Sequence, residues 1–153
     1  MESRTGDDHN SNSTSYSIQR TNFADIQQYA TIGNCGRRGS GKTFVTRDIL
    51  HALKGRVGRF MVLYKISNNV REYRPEISRL YFHKLSIERL KAIRDKQKKL
   101  CEYYGEKNLD IPRKLRLCLI LEDCGSDSKF IRHPIVVDLL HNGRHYGMYI
   151  IIK

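Results

Sequence analysis

Apolar residues along this chain fall into short continuous runs and longer runs with helical spacing, and the two kinds alternate. The strongest continuous run is L-R-L-C-L-I-L-E-D-C-G, residues 115–125, which stays apolar until it meets two acids and a glycine. It predicts a buried strand. R-F-M-V-L-Y-K-I (59–66) predicts a second, S-R-L-Y-F-H-K-L (78–85) a short one, and H-Y-G-M-Y-I-I-I-K (145–153) a last one. Tyr29–Cys35 is the candidate for a first strand, diluted by Thr31, Gly33 and Asn34. Between these lie helical patterns. Phe44, Ile49, Leu50 and Leu53 recur at helix-like intervals, with Gly55 as a stop. Ser86 is placed to cap a helix whose stripe is Ile87, Leu90, Ile93, Leu100 and Tyr104. D-S-K-F-I-R-H-P-I-V-V-D-L-L-H-N-G (127–143) reads as helix, with Pro134 in its first turn or at a kink. Residues 67–76 and 106–114 read as loops. Alternation of strands and helices predicts an α/β fold, a mainly parallel sheet with helices on both faces. Ligands of such sheets bind at the C-terminal ends of the strands.

Residues 1–17 are rich in Ser, Asn, Asp and Thr with no apolar period, and are expected to be a disordered tail. Residues 18–153 then form one domain. Charge changes the picture next. Lys and Arg number 28 against 16 Asp and Glu, a formal net charge of +12. That excess points to a polyanionic partner, most often nucleic acid; a solvated basic surface is the plainer alternative. Arg89, Lys91, Arg94, Lys96, Lys98 and Lys99 concentrate it on the helix after Ser86. That face is either DNA-facing or merely solvated. The four cysteines, Cys35, Cys101, Cys118 and Cys124, show no C-x2-C spacing. They read as reduced, buried thiols of an intracellular protein, not as a zinc site. No apolar run approaches the roughly 18 residues that span a membrane, so a soluble protein is expected.

The candidate chemistry sits in two of the predicted strand-to-loop junctions. Gly36, Arg37, Arg38, Gly39, Ser40, Gly41, Lys42 and Thr43 match G-x4-G-K-[ST] in full. Glycines permit left-handed backbone angles, so successive N–H groups can turn toward phosphate oxygens. The helix that follows adds its partial positive end. Lys42 can reach the β- and γ-phosphates, and Thr43 can ligate Mg²⁺. Such a loop needs an acid at a neighbouring strand end to hold the metal, and a second acid can polarise the attacking water. Glu122 and Asp123 end the best strand, and adjacent acids there point in different directions. In N-G-R-H-Y-G-M-Y-I-I-I (142–152), Arg144 sits just before the last strand. It reads either as a contact to a γ-phosphate, including one on a neighbouring subunit, or as a plain surface arginine; His145 reads as structural. Arg37 and Arg38 could face nucleotide, a neighbour or DNA.

G-R-R-G-S-G-K-T, L-I-L-E-D-C and N-G-R-H-Y-G-M-Y-I-I-I, in this order, resemble the genome-packaging ATPases of nucleocytoplasmic large DNA viruses, the poxvirus-type branch of the FtsK–HerA superfamily. The resemblance covers roughly residues 28–153. It implies a P-loop NTPase fold with an ASCE-type core, and a homo-oligomeric ring that hydrolyses ATP with Mg²⁺ to drive double-stranded DNA into a capsid. Capsid proteins would be further partners, in the host cytoplasm at the viral factory or in the virion. It implies that Lys42 and Thr43 bind triphosphate and Mg²⁺, that Glu122 is the metal-side acid and Asp123 the catalytic acid, and that Arg144 is a trans-acting finger. Two departures stand out. Glu122 replaces the family's usual aspartate and is one methylene longer. Lys153 stands where the final strand ends, ahead of the family's polar sensor and further sheet and helix, so the core is expected to be incomplete at its C-terminus. The alternatives are a remnant that binds nucleotide or DNA without turnover, and another P-loop kinase or GTPase. The chain has no N-K-x-D guanine motif and no clear arginine-rich lid.

Overall fold

The computed structural model describes residues 22–65, 73 and 80–153. The tail expected at 1–17 and most of the loop expected at 67–76 lie outside the described residues. Among the described residues, five strands form one all-parallel sheet: β1 (Thr31–Gly33), β2 (Arg59–Tyr64), β3 (Leu80–Lys84), β4 (Leu117–Glu122) and β5 (Met148–Ile152). Their order is β1-β5-β4-β2-β3. The helices are α1 (Lys42–Leu53), α2 (Ile87–Glu106), α3 (Ser128–Ile131) and α4 (Pro134–Asn142). The α/β class and the parallel sheet expected from the sequence are therefore present.

The period-two alternation of β4 decides which side each helix covers. Leu117, Leu119 and Leu121 join Leu90 of α2 and Ile135, Val136 and Leu139 of α4 in one cluster. Cys118 and Ile120 join Ile49, Leu50 and Leu53 of α1 in the other. Helices thus cover both faces, and all six residues of β4 are buried, as a central parallel strand requires. Burying a Leu or Ile side chain fully contributes about 1.5–3 kcal/mol, so this strand is the anchor of both cores. β5 alternates in step, with Tyr149 and Ile151 on the α1 side and Met148 and Ile150 on the other.

Local signals explain the element ends. Ser86 Oγ accepts from Arg89 N at 3.2 Å and opens α2 as expected. Pro134 does not kink one helix. It starts a second one at the first position, where a missing N–H costs nothing, with His133 Nδ1 accepting from Ile135 N at 3.3 Å. β1 is only three residues long and pairs with β5 alone; its polar dilution is that of an edge strand.

Three further expectations need correction. Phe44 is 69% exposed and does not belong to the buried stripe of α1. The stripe is Thr46, Ile49, Leu50 and Leu53, an i, i+3, i+4, i+7 set, and Phe44 falls outside that arc. Arg94 is not part of a free basic face: it binds Asp95 at 2.8 Å and Asp138 of α4 at 3.1 Å. These carboxylates hold its guanidinium above the usual arginine range. The thiols are all free but not all buried; Cys118 and Cys124 are, Cys101 is half-buried and Cys35 is exposed on the way out of β1.

Candidate phosphate-binding site

Because every strand runs the same way, β1, β2, β4 and β5 all deliver their C-terminal ends to one edge of the sheet. β1 leads there into the glycine loop, β4 ends there in Glu122, and β5 ends there one residue before Lys153. This is the edge where α/β sheets bind ligands.

The loop emerges as an exposed arch over residues 35–40. Gly39 (φ 78°) and Gly41 (φ 83°) both take left-handed backbone angles that L side chains rarely adopt. At Gly36 a Cβ would come within 2.5 Å of Ser40 Oγ, so the arch closes on itself there. Gly41 stands at the N-cap of α1 and supplies no side-chain cap. Helices α2, α3 and α4 are each capped by a side chain, from Ser86, Asp127 and His133. The first N–H groups of α1 are thus left for an external acceptor. Lys42 Nζ folds back onto the arch and donates to Gly36 O at 2.7 Å and Arg37 O at 2.8 Å. Asn34, which sequence reasoning missed, ties the arch down: its Nδ2 donates to Lys42 O at 2.7 Å and Thr46 Oγ1 at 2.9 Å. Arg37 and Arg38 are exposed.

Glu122 reaches this site by strand parity. It follows Cys118 and Ile120 on the α1 side of β4, and it is 2% exposed. Asp123 departs from the strand with φ 56° and is exposed, so the two acids do diverge. Among the described residues no hydrogen bond or ion pair joins the Asp123 carboxylate to the loop. Cys124 turns back inside. Burial, with Asp123 beside it, pushes its thiol up to about 12, and Sγ donates to Glu122 O at 3.0 Å. It is a neutral packing group, not a nucleophile.

One cation connects these parts. Lys153 Nζ donates to Glu122 Oε1 at 2.5 Å, Thr43 Oγ1 at 2.8 Å and Tyr73 Oη at 3.1 Å. Tyr73 Oη in turn donates to Glu122 Oε2 at 2.7 Å. Thr43 and Glu122, the two expected metal ligands, therefore converge on a single point. A hydroxyl and a carboxylate are hard oxygen donors of the kind Mg²⁺ takes, with phosphates and water completing its shell. The pair fits that ion. Among the described residues no cluster of three His, Cys, Asp or Glu could hold a metal by itself. Tyr73 and Lys153 escaped the sequence reading. Parity offered a signal for Lys153, which lies two residues beyond Ile151 on the same face; nothing comparable marked Tyr73.

Arg144 is elsewhere. It lies in the 3₁₀ turn Gly143–Tyr146 that precedes β5, with Nε donating to His145 Nε2 at 3.3 Å. The five residues of β5, at about 3.3 Å each, separate it from the glycine loop. The structure does not bring Arg144 into the site of its own chain. On α2, Arg89, Lys91, Lys96, Lys98 and Lys99 are exposed. Among the described residues no helix is long and apolar enough to cross a membrane. No family model, no curated protein and no solved structure matches this chain.

Proposed function

We propose that this chain is a P-loop ATPase of the DNA-translocating type, a subunit of a homo-oligomeric motor that packages double-stranded viral DNA. The observation that carries the nucleotide reading is the meeting of Thr43 Oγ1 and Glu122 Oε1 at one point beside an uncapped helix start and a glycine arch. The arch N–H groups and the start of α1 would hold phosphate oxygens, and Lys42 would leave its two carbonyls for the β- and γ-phosphates. Thr43 and Glu122 would hold Mg²⁺, which supplies charge neutralisation across the transferring phosphoryl group. Asp123, solvent-exposed at the strand end, would orient a water as general base. Arg144 serves only across a subunit boundary, which is why the reading requires an oligomer. The exposed lysines of α2 supply the charge for a DNA backbone.

The test is ATP turnover by this chain with and without duplex DNA. Turnover that rises with DNA, and loses that rise as salt is raised, is expected. A rate indifferent to DNA removes the motor reading and leaves a general P-loop NTPase. A second reading, nucleotide binding without turnover, is favoured by one observation: the Lys153 ammonium holds the point where Thr43 and Glu122 meet. Tight binding of an ATP analogue, with no hydrolysis even when DNA is present, selects it.

A further inference from the structure

Lys153 is the least expected part of the site and the most completely built. Its backbone is fixed on both sides to β4 and the turn after it: its N donates to Leu121 O at 2.9 Å, and its O accepts from Cys124 N at 2.9 Å and Gly125 N at 3.1 Å. The alternation of β5 then aims its side chain at the α1 face, where Glu122 also points. The side chain is 4% exposed and Glu122 2%. An ammonium has three N–H donors, and here all three are used, on Glu122, Thr43 and Tyr73. A buried charge persists only when paired and hydrogen-bonded, and this one is both.

From this we infer that Lys153 is a tethered counter-cation that occupies the divalent ion's place between Thr43 and Glu122 and competes with Mg²⁺ for it. The inference rests on the nucleotide reading above. An ammonium and Mg²⁺ cannot share one carboxylate oxygen and one hydroxyl in a site this buried, because like charges at contact distance repel strongly in low dielectric. With Lys153 in place the Glu122 carboxylate is already neutralised, so its pull on a metal is weakened. Two consequences follow, one for the wild-type chain and one for its Lys153 variants. Nucleotide binding depends little on Mg²⁺, and removing the Lys153 charge makes it depend on Mg²⁺.

The experiment is titration of the 153-residue chain with a fluorescent, non-hydrolysable ATP analogue, in EDTA and in excess Mg²⁺. The proteins compared are the wild type, Lys153→Gln, Lys153→Met and Lys42→Ala. The wild type is expected to change affinity by less than about threefold between the two buffers, and Lys153→Gln or Lys153→Met by about tenfold or more, the scale on which groups around metal ligands act. Lys153→Gln keeps hydrogen-bonding atoms toward Thr43 and Glu122 if the methionine variant fails to fold. The wild-type titration stands without any variant: a Mg²⁺ effect of about tenfold or more there overturns the inference. An equal Mg²⁺ effect in wild type and both Lys153 variants, with binding still weakened in Lys42→Ala, overturns the inference while the nucleotide reading survives. Undiminished binding by Lys42→Ala overturns both.

Discussion

Lys42→Ala is expected to reduce ATP turnover at least about 100-fold, the scale seen when a positioned donor to developing charge is removed. Nucleotide affinity should weaken about 10- to 100-fold, because a charge-assisted hydrogen bond to phosphate is worth about 1.5–3 kcal/mol. Folding should hardly change. The Lys42 ammonium donates to Gly36 O and Arg37 O of the exposed arch, the backbone bond from Asn34 to Lys42 O survives the change, and alanine is a good helix former at the start of α1. A surface change of this kind stays within about 0.5 kcal/mol. Steady-state kinetics beside a thermal melt therefore separate a lost function from a lost fold. A Lys42→Ala protein that melts like wild type and still turns over at the wild-type rate would remove the glycine loop from the chemistry.

The second large effect is on stability. Glu122→Ala leaves the Lys153 ammonium buried without a counter-charge, and breaking a buried pair from one side costs about 3–5 kcal/mol. For a domain of this size that lowers the melting temperature by about 10 °C. Glu122→Gln should cost less, since the amide oxygen still accepts from Lys153 and the amide nitrogen can donate to Tyr73 Oη, the two groups that now meet Glu122 at 2.5 and 2.7 Å. Combining Glu122→Ala with Lys153→Met should recover most of the loss, because an apolar replacement of both partners leaves no stranded charge. Melting curves of the two single variants and the double variant read this coupling directly. Additive losses would show that Glu122 and Lys153 do not depend on one another.

These effects trace back to what was and was not readable in the residues. β4 was legible because a central parallel strand, buried on both faces, must be apolar at consecutive positions, and 117–121 is. The start of α2 was legible because Ser86 is a local cap. The glycine loop and Glu122 were legible as a motif, since both lie within a few residues of the strand end that positions them. Contacts across long sequence separation were not. Lys153 meets Thr43 across 110 residues and Glu122 across 31, and only the sheet order, with β5 between β1 and β4, brings them together. The same order decides Arg144, which local sequence places near a strand but which the strand's direction places at the wrong edge for its own site. Phe44 misled because one aromatic beside a helical stripe looks like part of it, and α1 completes the stripe with Thr46 instead.

The central claim is that residues 36–43 cradle phosphate. The most direct measurement is amide NMR of the chain, at 17.9 kDa well within reach, titrated with ATP in EDTA and with Mg²⁺. The largest shifts are expected at Gly39, Gly41, Lys42 and Thr43, which form the end of the arch and the uncapped start of α1, and smaller ones at Glu122 and Lys153. Saturable shifts that cluster away from the arch, or none at millimolar ATP, would contradict that claim.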